Sequence, residues 1–169
     1  MRRLVTVAAA TAAAAALAVP ASGARASFDG NACGLLGKAA LKSASLTGAS
    51  CKEYPSHSGT VGALGALTAY SGVYKNTRVR GTHELLLIVV RASNPSAVMA
   101  YLRQNKTIFL RQLGVNGVST RSTAGAAERW FLAGGSYGVY AGLVDRRASK
   151  RTVTKALSSI EASVKAGLS

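Results

Sequence analysis

The chain reads as an α+β domain: an antiparallel sheet with helices packed on one face, in the order α-β-β-α-β-β-α, closed by one disulfide. Three observations predict this. Residues 84–92, ELLLIVVRA, are a continuous apolar run of strand length, which marks a strand buried on both faces at the centre of a sheet. Two later stretches carry apolar residues at spacings of three, four and seven behind good capping residues, the pattern of amphipathic helices that cover a sheet. The two cysteines, Cys33 and Cys51, follow an export pattern and no other cysteine competes for them.

The export pattern comes first in the chain. MRR is a basic start, residues 4–19 are apolar and mostly alanine, and Pro20 breaks the run. Ala24 and Ala26 then place small residues ahead of a cut before Ser27. This is the layout of a secretory signal peptide, expected over residues 1–26, with 27–169 as a single exported domain of the cell envelope. The alternative is a retained anchor. Sixteen residues fall short of the roughly 20 that span a bilayer, and no later segment is apolar enough to do so. Cys33 follows Gly-Asn-Ala well past the apolar run, so lipidation is not expected there.

Outside the cytoplasm a lone pair of thiols tends to oxidise. A Cys33–Cys51 disulfide should stabilise the fold by about 3 kcal/mol in the chain-entropy model. Zinc is the competing use, with His57 near Cys51, but zinc wants three or four ligands. If Cys51 returns beside Cys33, the intervening chain reads as a short turn at ACGLL, a helix at KAALKSAS, an exit at Gly48 and a strand.

Residues 53–62, EYPSHSGTVG, read as a loop, and residues 63–74 as a strand rich in small side chains. The strong strand 84–92 follows. Asn94 can cap a helix with Pro95 at its first position and Gly114 at its end. Val98, Tyr101, Leu102, Phe109 and Leu113 form its apolar stripe. Residues 128–145 read as a hairpin. A two-residue turn at Gly134-Gly135 would pair Ala133 with Ser136 and Trp130 with Val139, placing Trp130 and Leu132 on the core face. Ser149 can cap a last helix striped by Val153, Leu157, Ile160 and Val164. The two αββ halves share no residue-level identity, so no internal repeat is read.

Catalytic motifs are sparse. GGSYG, residues 134–138, formally matches G-x-S-x-G, but that motif needs a following helix and a later histidine. His57 and His83 both precede it. GTVGALG has neither the spacing nor the context of a dinucleotide loop. His83 and Glu84 are adjacent, so in a strand they point to opposite faces. Glu128 with Arg129, and Asp145 with Arg146, read as solvated ion pairs. No cofactor or metal is expected, and the chain is not expected to be an enzyme.

Charge is the informative feature. The chain carries 21 Lys and Arg against 6 Asp and Glu, for a net +15. Losing residues 1–26 removes Arg2, Arg3 and Arg25 and leaves +12. Such a surface attracts polyanions. Its densest part is Arg146, Arg147, Lys150, Arg151 and Lys155, at the start of the last helix, where free N–H groups also favour anions. A solvated charge run is the competing account. Nucleic acid is not the expected partner, because single-strand binders interleave exposed aromatics with the charge.

Cys33-Gly-Leu-Leu after an export signal, Cys51, the long apolar strand, residues 114–131 (GVNGVSTRSTAGAAERWF) and a terminal amphipathic helix together resemble small actinobacterial secreted proteins and lipoproteins of unknown function. They are also similar to the extracellular sensor domains of some actinobacterial receptor kinases. Tyr54 stands near where that family usually has a tryptophan. The resemblance implies an envelope-facing binding or sensing module with no catalytic residues to carry over. The expected function is therefore a non-catalytic exported domain contacting an anionic envelope polymer, a lipid headgroup or a protein. The alternatives are a secreted interaction or inhibitor module, and a small hydrolase.

Overall fold

A computed structural model describes residues 28–77, 83–115 and 125–169. The proposed signal peptide and the segment 116–124 lie outside the described residues. A short 3-10 turn, Ala32–Gly34, leads into helix α1, Lys38–Ser43. Strands β1 (Ser50–Thr60), β2 (Ala66–Lys75) and β3 (His83–Ala92) follow. Helices α2 (Pro95–Gln104) and α3 (Lys106–Gln112) precede a hairpin of β4 (Ala126–Ala133) and β5 (Tyr137–Asp145). Helix α4, Lys150–Leu168, is the last element in chain order.

The α+β class, the antiparallel sheet and the disulfide are as the sequence leads one to expect. The five strands pair antiparallel in the order β1-β2-β3-β5-β4, with β3 in the middle. Cys33 and Cys51 are bonded, their Cα atoms 5.9 Å apart, so neither thiol remains for zinc. Tyr74 of β2 ties the same corner together: its hydroxyl donates to the carbonyls of Cys33, at 2.7 Å, and Ala32, at 3.3 Å. Burial, and secondarily the charge of Glu53, raise this phenol from 10.0 to about 12.

The helices cover both faces of the sheet rather than one. Leu85, Leu87 and Val89 point from β3 toward α1 and α4, and pack with Val153, Leu157, Ile160 and Val164. Leu86, Ile88 and Val90 point the other way, and pack with Val98, Leu102, Phe109 and Leu113 of the α2–α3 segment. An apolar run with no polar alternation requires two covering layers, since either face left open would expose large aliphatic surface. Helix α2 docks closely because β5 offers Gly138 beneath it: a Cβ there would fall 2.1 Å from Met99 Cγ.

Two further corrections concern local structure. The expected loop 53–62 is mostly strand β1, an edge strand, with register shifting between Tyr54 and His57. Pro55 sits in that irregularity, where its missing N–H costs no ladder bond. The hairpin turn has three residues, Gly134, Gly135 and Ser136, not two. Both glycines have positive φ, +55° and +68°, a conformation glycine adopts without a Cβ clash. The register is therefore one residue off the expected one: Trp130 pairs with Tyr140, and Leu132 with Gly138. A one-residue slip exchanges the faces of a strand. Trp130 faces the α2–α3 side, half-buried against Tyr140 with ring centroids 4.7 Å apart, and Leu132 is exposed.

Candidate anion-binding surface

The amino end of α4 is built by a tight turn. Asp145 closes β5, its carboxylate accepts from the Arg147 N–H at 3.0 Å, and its carbonyl accepts from Ala148 at 3.1 Å. Ser149 then caps the helix, with Oγ accepting from the Thr152 N–H at 3.2 Å. The buried stripe Val153, Leu157, Ile160 and Val164 holds α4 on the sheet. Ala156 is buried beside that stripe, and Lys150, Arg151, Thr154 and Lys155 are turned outward.

Arg146, Arg147, Lys150, Arg151 and Lys155 are all exposed. Lys150, Arg151 and Lys155 line one shallow depression together with the hydroxyls of Thr154 and Ser158. Arg146 and Arg147 lie in the preceding turn, outside that depression. None of the five makes an ion pair among the described residues.

Charge pairing elsewhere explains why. All six carboxylates of the chain are held by other groups. Asp29 accepts from the Asn31 N–H and Glu53 from the Cys33 N–H. Glu84 pairs with Lys75 at 3.2 Å, and Glu128 pairs with Lys106. Glu161 takes Lys165 at 2.6 Å and Arg129 at 2.7 Å. The hydrogen bond from Lys165, with that from Arg129, holds the Glu161 carboxyl below its ordinary range despite partial burial.

These pairs correct two expectations. Glu128 and Arg129 do not pair, because neighbours in a strand face opposite ways: Glu128 meets α3 and Arg129 meets α4. Asp145 does not pair with Arg146. It is buried opposite His83 in the β3–β5 register, with Oδ1 3.1 Å from His83 Nε2. His83 and Glu84 do separate to opposite partners, as adjacency in a strand demands. Tyr140, which donates to Glu128 at 3.3 Å, has its pKa raised by burial and by that carboxylate.

Among the described residues no group of three or more His, Cys, Asp or Glu could hold a metal, and no helix is long and apolar enough to cross a membrane. Arg129 was missed as a neighbour of the basic surface. It lies on β4 yet reaches Ser158 Oγ at 3.1 Å, at the edge of the depression. Compared with protein-family models, curated proteins and solved structures, the chain matches none. Function is thus read from the surface itself, whose cations and hydroxyls are exposed, while the His83–Asp145 pair at the start of the same turn is buried.

Proposed function

We propose that the chain is a non-catalytic, exported binding domain that holds a phosphate-bearing partner, an envelope polymer or a lipid headgroup, at the amino end of α4. One observation carries the reading. Five exposed cations gather there without an ion-pair partner among the described residues, while Asp145 in the same turn is buried against His83 and the Arg147 N–H, and the other five acidic residues are engaged elsewhere. Unpaired cations at a helix N-terminus favour an anion through both charge and free N–H groups. The resemblance to actinobacterial envelope sensor domains is in keeping with this role.

The interaction-module alternative would use aromatics on an open sheet face, and helices cover both faces. A hydrolase would need carboxylates free to act as acid and base, and these are committed to ion pairs and backbone contacts. The test is titration of the protein with soluble polyphosphate and, separately, sedimentation with phosphatidylglycerol vesicles. Binding to either at low salt, weakening steeply as salt screens charges over about 8 Å, supports the reading and identifies the source of phosphate. No binding to either overturns it.

A further inference from the structure

On the opposite side of the sheet from α4, a groove runs between the end of β1 and the outer surface of the α2–α3 junction. Its volume is about 260 Å³. Leu67, Leu102 and Phe109, all buried, form an apolar floor. Polar side chains stand around them: Tyr101, Asn105, Gln112, His57 and Thr60. Tyr101 is 44% exposed and Ile108 57% exposed, two of the three large hydrophobic side chains so exposed among the described residues.

The lining is unusual for this chain in one respect. It contains no Lys, Arg, Asp or Glu, although the chain has 21 basic residues. A charged ligand would find no counter-ion there, and burying an unpaired charge is costly. A hydrocarbon chain would cover and desolvate these five polar side chains without replacing their hydrogen bonds. An extended peptide would need a regular strand edge to pair with. The regular β1 edge beside the groove is short, only His57 to Thr60, because the register shifts between Tyr54 and His57 around Pro55 and the strand ends at Thr60.

The geometry points to a neutral saccharide as the occupant, one sugar ring lying with its C–H face on Tyr101 and the apolar floor and its hydroxyls toward Asn105, Gln112 and His57. A pyranose has this division: one weakly polar face and a rim of donors and acceptors. The volume lies just under the roughly 300–1,000 Å³ of sites for drug-sized ligands, which suits one ring with its neighbours outside. Asn105 already donates one amide hydrogen to the Tyr101 carbonyl at 3.0 Å, so its orientation is set and its oxygen remains for the ligand. The inference does not depend on the phosphate-binding surface, which lies on the other face.

The experiment is NMR titration of the isotope-labelled protein with maltotriose and with tri-N-acetylchitotriose, each to about 10 mM, near the weakest affinity worth calling binding. Shifts are expected at Tyr101, Asn105, Ile108 and Gln112 with at least one sugar, and should be unchanged between low and high salt. Tyr101→Ala is expected to weaken binding about tenfold, the worth of a modest aromatic contact. Gln112→Ala, a change at an exposed position, should weaken it about threefold with an unaltered melting curve. The inference is overturned if neither sugar shifts these resonances. It is also overturned if binding persists unchanged in both variants, or if sodium decanoate shifts the groove where the sugars do not.

Discussion

The two faces of the sheet receive the same kind of apolar surface from β3 and cover it differently. Toward α4, a 19-residue helix with an unbroken stripe covers the face together with the α1 segment, which adds Leu35, Leu36, Ala44 and Leu46. Its corner is pinned by the disulfide, by Tyr74, and by Ser163, whose hydroxyl donates to the Leu35 carbonyl and accepts from the Gly37 N–H. Toward α2 and α3, the expected single helix breaks at Asn105 (φ −106°, ψ 25°), whose amide bonds back to the preceding turn and competes with the helical ladder. Under the helices both sides hold a cluster of buried apolar residues. The difference lies at the margin, where the broken helix leaves a groove over β1 and β2. A continuous helix makes a scaffold that carries charge on its outer surface; an interrupted one leaves space with a mixed lining.

The comparison can be broken most forcefully at the core. Leu157→Ala, on the sealed face, is expected to cost about 2–5 kcal/mol, read from denaturant unfolding. Ile108→Ala, at the groove margin, should change stability by no more than about 0.5 kcal/mol. Equal losses would mean the groove is part of the core. Next in size is the staple: reducing Cys33–Cys51 should remove about 3 kcal/mol, the chain-entropy value for a loop of this length, seen as a lower melting temperature with reductant. No fall in melting temperature would mean that the corner holds without the bond.

A smaller effect tests the same corner by pH. The folded-state pKa of Tyr74 is raised, so folding favours the neutral phenol. Its contribution is complete below about pH 10 and is lost as pH climbs from 10.0 toward about 12. Tyr74→Phe should cost about 1 kcal/mol at neutral pH through the lost hydrogen bonds. It should also flatten the alkaline fall of stability relative to the parent. An alkaline profile identical in the two proteins would show that the phenol is not held as described.

The sealed face was the more legible in the sequence. Ser149, Val153, Leu157, Ile160 and Val164 give α4 by cap and period, and each occupies the expected position. Asn94 and Pro95 start α2 as expected, with the Asn94 carboxamide accepting from the Ala97 N–H. The other face was less so. Tyr101 fits the apolar stripe by spacing, yet it turns into the groove mouth, because period alone does not say where the covered surface ends. Strand β1 was hidden because an edge strand exposes alternate polar residues and tolerates Pro55. Trp130 was given the wrong partner, Val139 in place of Tyr140, because two adjacent glycines suggest a two-residue turn, and the third loop residue, Ser136, carries no distinguishing signal. The five basic residues were visible as a cluster, and three of them do share a depression. The groove was not visible, since His57, Tyr101 and Gln112 are distant in sequence and only the fold brings them together.

The central claim, that the amino end of α4 is a site and not merely part of a basic surface, is tested by one comparison of equal charge loss. One variant replaces Arg146, Arg147, Lys150 and Arg151 with glutamine. The other replaces Lys52, Arg91, Arg103 and Arg111, four exposed cations away from α4. Both should fold, as surface changes cost little, about 0.5 kcal/mol each. Affinity for polyphosphate or phosphatidylglycerol vesicles is measured at one low salt concentration. The account predicts that the first variant loses most of the binding, about a hundredfold, if each of the four contacts contributes about 0.7 kcal/mol, within the range for exposed charge pairs, while the second loses only a few-fold. Equal losses in the two variants would contradict it and reduce the basic surface to a property of composition.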